Sequence, residues 1–571
     1  MNRILALGVA LCVGLATAPW FAHAQPVKAG AGSYLVGPKG SDKGLPAAPL
    51  RTEAMLKKAA PTSQWYSTLI FNPKPFPIFV QPMTIRTTPT GFEMVLPSKE
   101  VTTTERRDTE VGYPHRDPLV LSPVAFEPGP AKLANTGDWS IDISFANGAD
   151  DMRVTVAHGN PYAYLRLRLP AAGERFDGGA DARVLALRVK GKPYALFGPT
   201  GTRWESVSAT EWIARLPSDK RYVAAAVLPD DKAETLALLT RHAYAFVQDT
   251  RVQWRYDAPS SQIETTFKAT TQLMEGADNG PLYGLYPHHW FKNASVEGQL
   301  GPAYDTVRGK IRLLAAPQFK TTHAYTGFVP YWPAVGESPR KAELADVMKT
   351  DVRNARRMML PEGQSAYWQG KGLQRITKLL DVVEQQGDKE ARDQLLAMLK
   401  KRMEEWFSGA DAKRYFFVDK SLGAVASYPD EFFAIAEIND HHFWYGYWIR
   451  AAAEIGLRDP AWIAKDQWGA MVELLIADIA TAERGRADFP FLRNFDPYEG
   501  HSWANGLGGV GDYGALGNNQ ESSSEAINAW AGLILWGEVT GNRERRDLGM
   551  YLYATEGQAI NWHARSRVSR C

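Results

Sequence analysis

The chain has 571 residues, 45% of them hydrophobic and 22% charged, with a formal net charge of +2. A near-neutral balance excludes a dedicated polyanion binder, because nucleic-acid-binding proteins carry a strong basic excess. The length implies about three or four domains. Aromatic residues make up 11%, with 18 Trp, 23 Tyr and 23 Phe. That is enough for large cores, and also for sugar binding, where flat rings stack on the apolar faces of pyranoses.

At the N-terminus, "MNR" is a short basic segment, "ILALGVALCVGLATAPWF" is apolar, and Ala22-His23-Ala24 is a small-x-small cleavage site. This reads as a secretory signal peptide over 1–24, cleaved after Ala24, and predicts a secreted or periplasmic protein. No later run of 18 or more apolar residues is present, so no membrane association is expected after cleavage. Of the two cysteines, Cys12 lies in the signal segment and Cys571 ends the chain. The mature protein is therefore expected to hold no internal disulfide.

From about 60 to 270 the chain reads as strands. In "WSIDISF", Trp139, Ile141, Ile143 and Phe145 alternate with Ser140, Asp142 and Ser144; "AYLRLRL" (163–169) alternates too. Period-two patterning predicts one buried and one solvated face. Many such strands between Gly, Pro and Asn turns predict a β-sandwich over 45–270. Residues 271–350 are mixed and rich in Pro, Gly and Tyr, and read as a small α/β linking domain. From 351 the chain reads as helices. Leu373, Ile376, Leu380 and Val383 share one face of a helix that Gly387 stops. Leu395, Leu399, Met403 and Trp406 share a face of the next. Asp459-Pro460 reads as the N-cap and first position of a third helix. Such a series predicts a helical bundle or an α/α toroid. The fold class is therefore multidomain α+β.

Three stretches carry candidate chemistry. "EINDHHFWYGYW" (437–448) crowds Asp440 against His441, His442 and a run of aromatics. "FDPYEGHSWANGLGGVGDYG" (495–514) is a glycine-rich loop in which His501 and Trp503 either line a cleft or anchor a connection. It lacks a phosphate-loop pattern. "NNQESSSEAINAWAGLILWG" (518–537) holds Glu521 and Glu525 four residues apart. Ser522 and Glu525 fit a capping box, which leaves Glu521 outside the helix among Asn518, Asn519 and Gln520. A serine nucleophile is disfavoured because no G-x-S-x-G occurs. A metal-dependent phosphoesterase, with His288 and His289 of "YPHHW" joining His441 and His442, is an alternative. The simplest chemistry is two separated carboxylates. Glycoside hydrolysis needs a protonated acid and an ionised base or nucleophile. Asp440, buried among aromatics, fits the acid, and Glu521, at a helix N-terminus, fits the base.

Together, "NDHHFWYGY", "FDPYEGHSWANGL" and "NNQESSSEAINAWAGLILWG" resemble, in this order, the signature blocks of glycoside hydrolase family 81, the endo-β-1,3-glucanases. "PTSQWYSTLIFN" (61–72) and "YPHHW" (286–290) resemble further family segments. The resemblance implies an N-terminal β-sandwich, a small α/β domain and a C-terminal (α/α)6 barrel over 351–571, and an inverting hydrolysis of β-1,3-glucan without metal or other cofactor. It places the general acid on Asp440 and the base on Glu521, with Glu525 positioning the water or tuning Glu521. His441, His442, Trp444, Tyr445, Tyr447, His501, Trp503, Asn519 and Gln520 are expected to contact the glucan. Trp444 stands where the family often has histidine. Family barrels also continue past the "ATE" stretch (554–556), so an incomplete barrel is expected. A β-glucan-binding protein without turnover is the second reading. No protein partner is expected.

Overall fold

The computed structural model describes residues 26–568 apart from 38–47, 73, 75, 98–101, 105–106, 113–114, 169–182, 209, 294, 334, 338, 360–363 and 509–516. The expected signal segment 1–24, both cysteines, Gly509 and Gly511 lie outside the described residues. No described helix is long and apolar enough to cross a membrane.

The first half is built of antiparallel sheets. The largest has seven strands, in the order Val184–Val189, Lys192–Phe197, Tyr222–Val227, Tyr162–Arg168, Asp151–Ala157, Ser140–Ser144 and Lys132–Thr136. A four-stranded sheet joins Ile78–Phe79, Thr84–Thr88, Gly91–Val95 and Leu119–Leu121. Trp139, Ile141, Ile143 and Phe145 are buried, as their spacing predicts, but Ser140 and Ser144 on the opposite face are buried too. The expectation of a solvated face therefore fails at this strand. Its polar side chains are satisfied inside: Ser140 Oγ lies 3.0 Å from Thr250 Oγ1, and Thr155 donates to Asp142 at 2.7 Å. Alternation records which residues are polar, and hydrogen bonding allows polar residues inside.

A three-stranded sheet of Ala245–Asp257, Gln262–Leu273 and Phe319–Ala324 pairs strands from either side of residue 270. Another, ordered Leu282–Leu285, Gly309–Ala315 and Ala303–Thr306, carries the short helix Pro287–Trp290.

The second half is helical. Ala366–Gln385, Lys389–Phe407, His441–Arg458, Gly469–Ala480, Ser523–Val539 and Arg543–Val568 follow Lys341–Arg353. Leu373, Ile376, Leu380 and Val383 are fully buried, as are Leu395, Leu399 and Met403, with Trp406 almost so. Gly387, at φ +76°, ends the first of these helices. The helix expected at Asp459-Pro460 begins instead at Gly469. Residues 460–468 form turns, and Asp459 accepts from Lys400 Nζ at 2.6 Å while Trp462 donates its indole N–H to Glu404 at 2.8 Å. The local cap bond is still made, Trp462 N donating to Asp459 at 3.3 Å, but the turn it opens is held by these tertiary bonds to the neighbouring helix and does not continue as a helix.

One element was not foreseen. The hairpin Pro26–Ala29 and Gly32–Gly37 joins the strands Tyr415–Asp419 and Ala424–Tyr428 in one sheet, with Gly32–Gly37 parallel to Tyr415–Asp419. Leu35, Tyr415, Phe417 and Ala426 form its core. The sheets and helices are also fastened directly. Arg484 donates to both carboxylate oxygens of Asp138 at 2.8 and 2.7 Å, and Trp254 stacks on Tyr551 at 4.5 Å.

Candidate active site

The three stretches singled out in the sequence converge. Asp440 N donates to Ala504 O at 2.9 Å, and Ala504 N donates to Asn519 O at 2.8 Å. Gly506 N reaches the Asn439 side chain at 3.0 Å, and Asn505 and Asn518 bond each other reciprocally. Gly506 permits this approach, since a Cβ there would stand 2.2 Å from Glu437 O. Asp440 stands at the N-terminal boundary of the helix His441–Arg458 without a side-chain capping bond, and Glu521 immediately precedes the Ser522 cap of Ser523–Val539. Those two helices meet at Gly446, where a Cβ would fall 2.7 Å from Ala529 Cα. Any side chain at 446 would push the helices apart, and with them the two carboxyls.

Both carboxyl residues have left-handed backbones, with φ 63° for Asp440 and 56° for Glu521. A non-glycine residue there costs about 1–2 kcal/mol, and strain of this kind concentrates at functional sites. The Asp440 carboxyl is pushed up to about 8 by burial and by the negative charges of Glu521 and Glu525. Such a carboxyl holds its proton at neutral pH. Glu521 is exposed, and Asn519 Nδ2 donates to it at 3.2 Å.

Glu525 occupies a different setting. Ser522 Oγ accepts from its backbone N–H, the half of the capping box the sequence predicts. Its carboxylate Oε1 takes hydrogen bonds from Tyr447 at 2.6 Å and Tyr367 at 3.0 Å, with Lys371 Nζ at 3.6 Å. Lys371 also donates to Tyr367 at 3.0 Å. Gln374 bonds Asn528 at 2.6 Å, a second rung between the same two helices. Sequence reasoning missed Tyr367 and Lys371. They lie four apart on the polar face of the 366–385 helix, away from its buried stripe, and an aromatic and a lysine on such a face were the available signal.

Other expected contacts are placed elsewhere. His441 is fully buried, its Nδ1 2.7 Å from Asp478 and its Nε2 2.9 Å from Ala434 O. Asp478 in turn accepts from Val425 N at 2.8 Å and pairs with the fully buried Arg493 at 3.2 Å. His442 is fully buried against Phe443 and Trp530; burial and the neighbouring His441 hold it well below the usual histidine range, so it is neutral. Tyr445 is buried and donates to Val425 O at 2.6 Å. His501 is buried, in contact with Arg308 and with its Nδ1 2.9 Å from Ser502 O; burial and the Arg308 charge push it down to about 3. Direct glucan contact by His441, His442, Tyr445 and His501 is thus corrected: buried rings committed to the protein cannot meet a polymer. Trp444 is likewise buried, beneath Tyr367 and Phe432. Gln520 turns inward to Ser523 and to the buried Glu556, and the half-buried Trp503 donates to Asp496 at 3.3 Å. His288 and His289 pack with Tyr286 in the sheet-side core. Among the described residues, no group of three or more His, Cys, Asp or Glu could hold a metal.

A family model described as the glycosyl hydrolase family 81 C-terminal domain matches residues 337–567. The glucan endo-1,3-beta-D-glucosidase of Acetivibrio thermocellus is 37% identical over 534 residues, which cover 90% of this chain and 66% of the relative. That of Thermobifida fusca is 32% identical over 571 residues, covering 96% of this chain and 73% of the relative.

The chain belongs to glycoside hydrolase family 81.

A solved family 81 structure from Clostridium thermocellum superimposes with a TM-score of 0.84 at 36% identity, covering 94% of this chain and 74% of that one. The mixed α and β architecture is thus that of the family. In this family 81 hydrolase the "FDPYEGHSW" block acts as a fastening between sheets and helices. His158 Nε2 meets Asp496 at 3.0 Å, while Glu499 accepts from Tyr286 at 3.0 Å and from Arg308 Nε at 2.8 Å. These bonds make the block a connection between the two halves, with Trp503 left half-buried.

Proposed function

We propose that this family 81 hydrolase cleaves internal β-1,3-glucosidic bonds of β-1,3-glucan with inversion. Asp440 protonates the leaving oxygen, Glu521 takes a proton from the attacking water, and Glu525 holds the charge pattern between them. The observation that carries this is the raised Asp440 carboxyl in one constellation with two other carboxylates. One group is set to give a proton, while exposed Glu521 stays open to water. An inverting enzyme needs room for a water between acid and base, roughly 6.5–9.5 Å. Tyr447 and Tyr367 fix Glu525 so that it acts on Asp440 through its charge. Asn519 steadies Glu521.

The layout we infer is a β-sandwich, a small α/β linking domain and an (α/α)6 barrel, in line with the strand-then-helix order and the paired succession of helices. We further infer export after cleavage following Ala24. The ordered hairpin starts at Pro26, so such a cut would leave it whole. The mature protein from an expressing host is expected to have an intact mass beginning at Gln25 and to be found outside the cytoplasm; a cytoplasmic product retaining Met1 would reject export.

The reaction is tested by proton NMR of the earliest products from a linear β-1,3-glucan. New α-anomer signals before mutarotation are expected. New β-anomer signals would establish retention and overturn the assignment of Glu521 as a base. Glucan binding without any product from folded protein would replace hydrolysis by binding alone.

A further inference from the structure

The loop before Asp440 carries a feature that acid–base chemistry does not use. Phe432 and Phe433 are consecutive, both left-handed at φ 52° and 61°, and 46% and 62% exposed. A bulky residue at positive φ is a genuine outlier, and here two in succession face water. Ile438 and Asp440 add two more left-handed positions within the same short stretch.

The loop is fixed in this shape. Glu431 accepts from Ser365 Oγ at 2.6 Å and from Trp368 Nε1 at 3.1 Å. Ile435 N donates to Asp430 at 2.9 Å, and Glu437 N to Phe433 O at 2.8 Å. His441 reaches Ala434 O from the core. The Phe432 ring meets Tyr367 edge-on at 5.5 Å and lies 6.2 Å from Trp368 and 6.5 Å from Trp444. Tyr367 is the residue that bonds Glu525. The Phe432 ring is therefore continuous with the acid–base constellation, and Phe433 follows it in the chain.

Relaxing this backbone and burying the rings would each favour folding, yet many bonds maintain the opposite. Exposed apolar patches joined to a site mark contact with a ligand. A glucosyl ring with equatorial substituents presents C–H groups on both faces, which suit the face of a phenyl ring. We propose that Phe432 and Phe433 form a stacking platform for a glucosyl residue of the β-1,3-glucan, beside the bond being cleaved, and that their left-handed backbone exists to present them. This rests on the hydrolytic reading above. The buttresses are Trp368, held by Glu431, and Tyr367; these position the platform.

The test compares Phe432→Ala, Phe433→Gly and Phe433→Trp with the wild type on linear β-1,3-glucan, in the full chain. Loss of one ring is expected to raise KM by about 2–10-fold, the value of an aromatic contact, with kcat nearly unchanged, as for removal of uniform binding. Phe433→Gly is also expected to melt higher, because it relieves the backbone while exposing nothing new. Phe433→Trp keeps a ring and is expected to restore KM. A merely structural role would lower the melting temperature instead. Calorimetric titration of laminari-oligosaccharides into Glu521→Gln, with and without Phe433→Gly, reads binding apart from turnover. Wild-type turnover with unchanged KM in both ring-deleted variants, and unchanged affinity on adding Phe433→Gly, would overturn the platform and leave the hydrolytic reading standing. Neither turnover nor binding by the wild type would overturn both.

Discussion

Asp440→Asn is expected to lower kcat on a linear β-1,3-glucan by about 10²–10⁴-fold, the usual contribution of a positioned general acid. Substrate affinity should be nearly kept, since an amide replaces a carboxyl of the same shape. The loss should shrink on a laminari-oligosaccharide with an aryl leaving group, because such a group departs without a proton. The pH profile gives the sign. Asp440 must be protonated to act, so kcat/KM should fall as pH rises through about 8, the value to which burial, Glu521 and Glu525 push it. Glu525→Gln removes one of those negative charges, and the basic limb should then move to lower pH. An Asp440→Asn variant within five-fold of wild type on the linear polymer would sink the assignment. So would a Glu525→Gln basic limb that stays in place.

The second large effect is on stability. Asp478→Ala should destabilise the helical half by about 3–5 kcal/mol, the cost of breaking a buried pair and leaving one charge behind. Asp478 binds His441, Val425 N and Arg493, and all four residues are buried. Its removal strands the Arg493 guanidinium without its carboxylate. It also frees His441, whose other nitrogen holds Ala434 O in the Phe432 loop, so KM should rise as well. Burial raises the Asp478 carboxyl, but the Arg493 charge and His441 outweigh burial and hold it below the usual carboxylate range. Its contribution is therefore complete above an ordinary aspartate value of about 3.9 and fades as pH falls through the lowered one. Thermal and chemical melts read both points. Asp478→Ala melting at the wild-type temperature would refute the network's role, and Asp478→Asn should lie between.

What the sequence made legible depended on periodicity. The stripe of Leu373, Ile376, Leu380 and Val383 needed only a 3.6-residue repeat and a stopping glycine, and it is buried as drawn. The convergence of Asp440, Glu521 and Glu525 was legible through resemblance rather than through local pattern. Direction was not legible. His441 and His442 adjoin Asp440 in sequence, yet helix geometry turns both rings into the core while the Asp440 carboxyl lies within electrostatic reach of the glutamates. Tyr367 and Lys371 were hidden because their contact with Glu525 spans most of the helical half. Phe432 and Phe433 were hidden because nothing in two phenylalanines announces a left-handed backbone. The Asp459-Pro460 cap forms, with Trp462 N donating to Asp459, but it opens a run of turns rather than a helix, where Lys400 and Glu404 bind Asp459 and Trp462.

The hairpin at Pro26–Gly37 has a consequence for the order of events during synthesis. Its partner strand, Tyr415–Asp419, leaves the ribosome long afterwards, on the order of a minute later at about 5–20 residues per second. For that interval the hairpin has no sheet to join, while the sheets between them can already close. The first of the described strands to be made are thus among the last to find their neighbours. They act as a clasp that closes only once the chain has been made through Tyr415–Asp419, and a nascent chain stalled before residue 415 would present an open, unpaired strand edge.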